Sequence, residues 1–315
     1  MSLNLVRKLL QLVPTVLGIV TLVFLMLRML PGDPASFMAG EAIGEEALEA
    51  LRAQLGLNMP LEQQYIEYLR RVARFDLGQS VVTSLPVSQL VAGALPVTLL
   101  IGGVSLIIGF VISVPLGTIA AFLASRGRGA MDQALISTAM LIDVMPSFWV
   151  GLLLMLLFSL LLRWLPATGP LDFGDPVALA RRIALPVMVL SIAQLATTAR
   201  ITRTAILDVM NEDYIRTARA MGTGELTVLF RHALPNAALP VVTVAGLSFG
   251  RLLGGTVIVE AVFALPGMGT LLVNGINGRD YPVVQGVILL YATLFILVNL
   301  ATDLIYMRVD PRVRL

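Results

Sequence analysis

The amino-acid sequence predicts an all-α membrane protein with six transmembrane helices and an external helical insertion after the first span. Three observations lead there. Hydrophobic side chains make up 57% of the 315 residues and charged ones only 13%, too few polar groups to coat a water-soluble globule. Mean hydropathy is +0.88. Six stretches, near 9–30, 95–124, 133–162, 183–200, 235–259 and 281–302, have about the length of apolar helix that crosses a hydrocarbon core roughly 30 Å thick. Helices satisfy their backbone groups internally, as lipid demands.

The first span follows Arg7 and Lys8 and is uncharged over 9–27. That run exceeds the apolar core of a signal peptide, so it is read as a retained helix. Loop 31–94 reads as a folded subdomain. In "EEALEALRAQLG", Leu48, Leu51 and Leu55 recur at helical spacing and Gly56 supplies a C-terminal stop. "PLEQQYIEYLRRV" places Pro60 at a first helical position and aligns Leu61, Tyr65, Tyr68, Leu69 and Val72. A five-helix core then occupies 95–302, and 303–315 is a C-terminal tail.

Basic residues set the orientation, because basic loops stay cytoplasmic. The N-terminus, loops 125–132 and 200–232, and the tail hold twelve Lys and Arg; loops 31–94, 163–182 and 260–280 hold eight across more chain. Both termini are therefore expected in the cytoplasm. Arg181 and Arg182 narrow the margin.

Composition also removes chemistries. There is no cysteine, which excludes disulfides, thiolate metal sites and cysteine nucleophiles. Lys8 is the sole lysine and no Gly-Lys pair exists, so a Walker A loop is excluded. His232 is the one histidine, which rules out a two-histidine zinc motif. A formal charge of +2, dispersed among apolar spans, does not suggest nucleic acid. "GLSFG" at 246–250 matches the hydrolase Gly-x-Ser-x-Gly pattern around Ser248, but His232 precedes the serine and the context reads as helix. Gly246, Gly250 and Gly254 read better as a smooth ridge for helix packing. Asp143, Arg251 and Glu260 lie within or at the edge of spans, where charge is costly. They are candidate pathway residues, with snorkelling to the interface as the alternative for Arg251 and Glu260.

The polar stretch 211–235, "NEDYIRTARAMGTGELTVLFRHALP", separates two long apolar runs. Asn211 can cap a helix whose first turn carries Glu212 and Asp213, with Tyr214, Ile215, Ala218 and Met221 on one apolar face. Gly222 ends it. Thr223 can cap a second helix, in which Leu226, Leu229, Phe230 and Ala233 share a face before Pro235 opens the next span. A compact helix-turn-helix is predicted.

This stretch resembles the cytoplasmic signature of ABC importer permeases, Glu-Ala-Ala, three residues, Gly, nine residues, Ile-x-Leu-Pro. Ala218, Gly222, Leu234 and Pro235 fall on its fixed points, while Arg216, Thr217 and His232 depart from it. "RTARAMG" is similar to the variant of the dipeptide, oligopeptide and nickel permeases. "LPGDPA" at 30–35, "LGLNMPLEQQY" at 55–65, "EAVFALPGMGTLLVNGINGRDYPVVQG" at 260–286 and "NLATDLIYMRVDPR" at 299–312 resemble the first-permease type of that branch. The resemblance implies a type I ABC importer permease fold in a bacterial plasma membrane. It also implies a second homologous permease, two ABC ATPase subunits that bind the ATP, and an external solute-binding protein. It assigns 211–222 as a coupling helix seated on an ATPase. Tyr214, Arg216, Thr217, Ala218, Arg219, Gly222, Leu234 and Pro235 would form the contact, with Arg216 and Arg219 pairing with ATPase carboxylates and small Ala218 permitting close approach. No cofactor of its own and no catalytic activity are expected. Peptides are favoured as cargo over nickel, because His232 is cytoplasmic and alone. A proton-coupled secondary transporter using Asp143 and an intramembrane serine hydrolase using Ser248 are the competing readings.

Overall fold

The structure, a computed structural model, describes residues 14–26, 35, 44–54 and 56–309. The start of the first span, all of "LPGDPA" except Ala35, Leu55 and the tail beyond 309 lie outside the described residues. Among the described residues there is no strand, only an isolated bridge between Gln79 and Pro86. The helices are α1 (Pro14–Met26), α2 (Glu45–Gln54), α3 (Leu61–Ala73), α4 (Val87–Ser125), α5 (Gly129–Asp143), α6 (Ser147–Leu154), α7 (Pro176–Met210), α8 (Asp213–Ala220), α9 (Ala238–Val262), α10 (Met268–Asn277) and α11 (Tyr281–Val309). Val87–Ser125, Pro176–Met210 and Tyr281–Thr302 are each long and apolar enough to cross a membrane, and the bent pair α5 and α6 makes a fourth if it counts as one span. Exposed Ile107, Val111, Ile119, Leu160 and Leu161 are side chains that suit a lipid solvent.

The chain divides into two compact units, one from Met1–Val97 and Pro266–Ile296, the other from Thr98–Leu265 and Leu297–Leu315. In the first, the insertion after α1 folds into α2 and α3, separated by a turn with Gly56 at φ +66°. Pro60 caps α3 one residue earlier than expected. The helix docks on α1: the hydroxyls of Thr21 and Tyr65 share a hydrogen bond of 2.5 Å, and the Phe24 ring lies 5.2 Å from Tyr65 and 5.6 Å from Tyr68. The buried Asp280 carboxylate accepts from the Ser80 hydroxyl and the Val82 and Val283 amides, tying the turn before α4 to the start of α11.

The second unit is built on α4 against α7. A methyl group added at Gly117 would stand 2.3 Å from the Ala199 carbonyl oxygen, and one at Gly109 would overlap the Gln194 side chain. Gln194 Nε2 and Ser191 Oγ both donate to the Ser105 carbonyl, at 2.8 and 3.1 Å. Between apolar-solvated helices small residues and polar links replace the hydrophobic drive that joins helices in water. The predicted glycine ridge on α9 is only partly realised. Gly246 abuts Thr302, but Gly254 has nothing within 4 Å of the same added methyl.

The predicted single span 133–162 is corrected to two helices meeting at 95°. Pro146 explains the break, since it lacks an amide to continue the ladder and its ring disfavours helical geometry at Met145. Inside this unit Arg203 forms a two-pronged pair with the buried carboxylate of Asp132 on α5. Replacing Gly117 by Val is expected to destabilise the protein by about 1–3 kcal/mol through overpacking. Thermal unfolding of the purified chain checks this; an unchanged midpoint would mean that α4 and α7 are not held at this separation.

Candidate functional site

The 211–235 stretch begins where α7 ends. Asn211 does not cap the following helix as expected. Its backbone closes α7, and Nδ2 donates back to the Leu207 carbonyl at 3.0 Å. Glu212 is instead the residue before α8, with extended backbone and no side-chain cap bond. Asp213 stands in the first turn, favourable to the positive helix end, and accepts from Arg216 at 3.2 Å. That pair is exposed on both sides and so contributes little to stability.

Gly222 terminates α8 at φ +82°, a conformation that glycine adopts without steric cost. Its amide bonds to the Arg219 carbonyl at 2.9 Å and that of Thr223 to Ala218 at 3.1 Å. Thr223 is not the second cap; Gly224 holds that position without a side-chain bond. The second helix is not one smooth element either. Glu225–Thr227 runs into a widened turn, Val228–Ala233, and then Leu234–Asn236 before α9. The widening directly precedes Pro235, whose ring would crowd the carbonyl four residues back in a regular α-helix.

These irregularities decide which side chains face inward. Ile215 is buried with Ile206, Met210, Val228, Leu229 and Ala233 in one cluster, and Leu234 packs against it; Ala218 is buried as well. Tyr214 and Met221, expected on the same face as Ile215 and Ala218, are exposed. So are Leu226 and Phe230, expected with Leu229 and Ala233. Ala218 therefore permits close approach within its own chain. Thr217, Arg216 and Pro235 are exposed, and the Thr217 hydroxyl donates to the Asp213 carbonyl. Partial desolvation of the phenol group itself and the neighbouring Glu212 raise the otherwise exposed Tyr214 above its usual value, opposed by a hydrogen bond with Asn236.

Arg219 departs furthest from its expected role. Its Nε and Nη2 donate to the two oxygens of Glu225 at 2.9 and 3.2 Å, and Nη2 also reaches the Met210 sulfur at 3.8 Å. This fork spans the Gly222 turn and joins α8 to the segment beyond it. Sequence reading left Glu225 without a role, although a carboxylate six residues after an arginine across a glycine turn was the available signal.

Among the three candidate pathway residues, Glu260 is fully buried and accepts from Thr98 Oγ1 at 2.7 Å. Snorkelling is thereby replaced by an internal contact. Asp143 is exposed at the bend between α5 and α6, within electrostatic reach of Arg251 and Arg200. Arg251 is exposed, and its Nη2 lies 3.4 Å from the buried Ser248 hydroxyl. Ser248 sits inside α9 with no strand before it, which is not a nucleophile elbow. No group of three or more His, Cys, Asp or Glu able to hold a metal occurs among the described residues.

The family described as "Binding-protein-dependent transport system inner membrane component" matches residues 113–315, and the corresponding N-terminal family matches 1–102. The chain belongs to this family, and it is the transmembrane permease subunit of an ABC importer. A Brucella abortus (strain 2308) chain named for a peptide transport system permease is 41% identical over 100% of this chain and 99% of its own length. The glutathione transport system permease protein GsiC of Salmonella typhimurium is 40% identical over 98% and 97%. A solved inward-facing structure of the MetNI methionine ABC transporter superposes with a TM-score of 0.60 at 20% identity, covering 71% of this chain and 97% of that one, which shows the shared fold. ATPase subunits and a solute-binding protein are the partners this family implies.

Glu225→Gln should loosen the brace across Gly222. Hydrogen exchange of amides in 213–227 is expected to speed up by about 2- to 5-fold, the worth of a partly exposed ion pair, with the remaining helices unchanged. Identical exchange in that segment would remove the bracing role of Arg219.

Proposed function

We propose that this permease forms half of a translocation pathway for small peptides, the other half being a second homologous permease. The 211–235 loop passes the movement of two ATPase subunits to the spans. Peptide cargo is supported by the names of the Brucella and Salmonella relatives. Both termini are assigned to the cytoplasm of a bacterial plasma membrane, the helical insertion 31–94 to the outside, and 95–302 to the permease core. No catalytic chemistry and no cofactor of its own are assigned to the chain; ATP belongs to the partners.

The observation that supports the coupling role most is a loop braced by Arg219 and Glu225 that leaves large side chains, Tyr214, Met221, Leu226 and Phe230, exposed. Exposed apolar groups on a stiff element suit a partner surface. Tyr214, Arg216, Thr217 and Pro235 are assigned to the contact itself. Arg219, Gly222, Ala218 and Leu234 are assigned to holding its shape. Asp143, at the bend where the span is broken, and Arg251, on α9, are assigned to the pathway.

The test is the assembled importer in vesicles. Gly222→Asp, which forces a branched side chain into left-handed backbone, is expected to leave membrane insertion intact while abolishing transport and substrate-stimulated ATP hydrolysis. Phe230→Asp is expected to lower both by about tenfold or more, the scale of an interface anchor. Normal transport by both variants would sink the coupling role. Uptake by this chain alone that collapses with the proton gradient, and is lost in Asp143→Asn, would instead establish the secondary-transporter reading.

A further inference from the structure

The connection between α6 and α7 carries Arg163, and the first turns of α7 carry Arg181 and Arg182, on the side that the distribution of basic residues makes external, against the usual bias. They line a cavity of about 530 Å³. Arg163 stands at φ +55° just past the widened helical run Met155–Leu161 that continues α6, where the Trp164 amide folds back to the Phe158 carbonyl at 2.8 Å. That is the helix-ending position glycine usually fills. A long cationic side chain kept in strained backbone points to use of the side chain itself.

Among the described residues the arginines have no counter-charge. Arg182 is buried and donates only to main-chain carbonyls, those of Gly169, Ala167 and Phe263 at 2.9, 3.1 and 2.6 Å. Arg181 gives one bond, to the Trp164 carbonyl at 3.0 Å, leaving the rest of its fork open. The carboxylates of the connection, Asp172 and Asp175, are turned to the amides of Gly174 and of Val177 and Ala178. Among the described residues no carboxylate lies within ion-pair distance of any of the three arginines. The Ser159 hydroxyl, on the cavity wall, is buried without a partner.

A second hollow of about 440 Å³ shares Ser159, Leu165, Pro166 and Thr168 with the first and continues over Leu156 and Leu160 along the apolar run that continues α6. Exposed Trp164 lines the first cavity, and tryptophan favours the level where lipid headgroups meet hydrocarbon. A basic, donor-rich cavity opening onto an apolar groove has two halves, one suited to a phosphate and one to an acyl chain.

We propose that this is a binding site for an anionic phospholipid, with the phosphate among Arg163, Arg181 and the Ser159 hydroxyl and one chain along Leu156 and Leu160. Guanidinium groups grip phosphate oxygens through paired donors. A zwitterionic lipid offers the same phosphate but brings a cation that uncompensated arginines repel, so the site discriminates by headgroup charge. Through the Arg182 bonds, the bound lipid would fix the connection to the end of α9.

The chain has only two tryptophans, so Trp149→Phe leaves Trp164 as sole emitter. The full chain carrying that change is placed in phosphatidylcholine vesicles with a minor fraction of dibrominated phosphatidylglycerol or dibrominated phosphatidylcholine. Phosphatidylglycerol is expected to quench Trp164 at about fivefold lower mole fraction, the scale of attraction per arginine at an anionic surface. Arg163→Gln with Arg181→Gln should abolish the preference while leaving quenching by phosphatidylcholine unchanged, which also shows that the fold persists. Should that variant misfold, Arg163→Lys with Arg181→Lys keeps the charge and should retain the preference. Equal quenching by the two lipids, a preference that survives the Gln variant, or loss of the preference in the Lys variant overturns the proposal. Erasure of the preference by millimolar inorganic phosphate overturns it too, by assigning the cavity to a free anion.

Discussion

The close approach of α4 to α7 is the contact on which the second unit depends. Gly109 and Gly117 bring the two backbones together, and Ser191 and Gln194 fasten the gap through one carbonyl, that of Ser105. In hydrocarbon such links face no competition from water, and an unpaired polar group is costly, so contacts of this kind fix helix register. α7 links two regions of this unit. At roughly 1.5 Å per residue its 35 residues run about 50 Å. One end carries Arg182, which gathers the preceding loop and the end of α9; the other runs straight into the 211–235 loop.

That geometry gives the loop its mechanical character. The inward side, Ile215, Val228, Leu229 and Ala233, packs on the last turns of α7. The outward side is braced by one arginine and one glutamate across a glycine turn. A push on the exposed side chains therefore acts on α7 and on the entry to α9 together. The ion pair adds little to global stability, but it removes a local freedom that would otherwise absorb displacement. An interaction can be minor for folding and decisive for transmission.

Much of this was readable in the residues, because the strongest signals were local and chemical. Long apolar runs, the Gly56 and Gly222 stops and the α2 and α3 helices all depend on neighbours in sequence. Caps proved less secure. Asn211 and Thr223 are good cap residues by type, yet Asn211 was recruited backwards by α7 and Thr223 was displaced by Gly224. Asp175, followed by Pro176, caps α7 through Val177 and Ala178, a start signal eight residues ahead of the apolar run that periodicity picked out. Contacts between distant segments were not readable. Nothing in the spacing of Gly109 and Gly117 tells them from Gly254, which meets open space. Pro146 did announce its break, but long apolar runs on both sides masked it. The predicted face of the second helix failed because helical counting assumes regular turns, and Val228–Ala233 is not regular.

The widened turn has a consequence of its own. An extra residue in a helix rotates everything beyond it by about 100° relative to what precedes it. Leu226 and Phe230 point outward, while Val228 and Leu229 between them point inward, because of that added phase. The surface presented by this loop is thus set by arithmetic as much as by residue type. A change in length by one position between Gly224 and Pro235 would re-clock every side chain in the segment with no substitution at all, so relatives that keep the same letters but differ in that count would offer a different face.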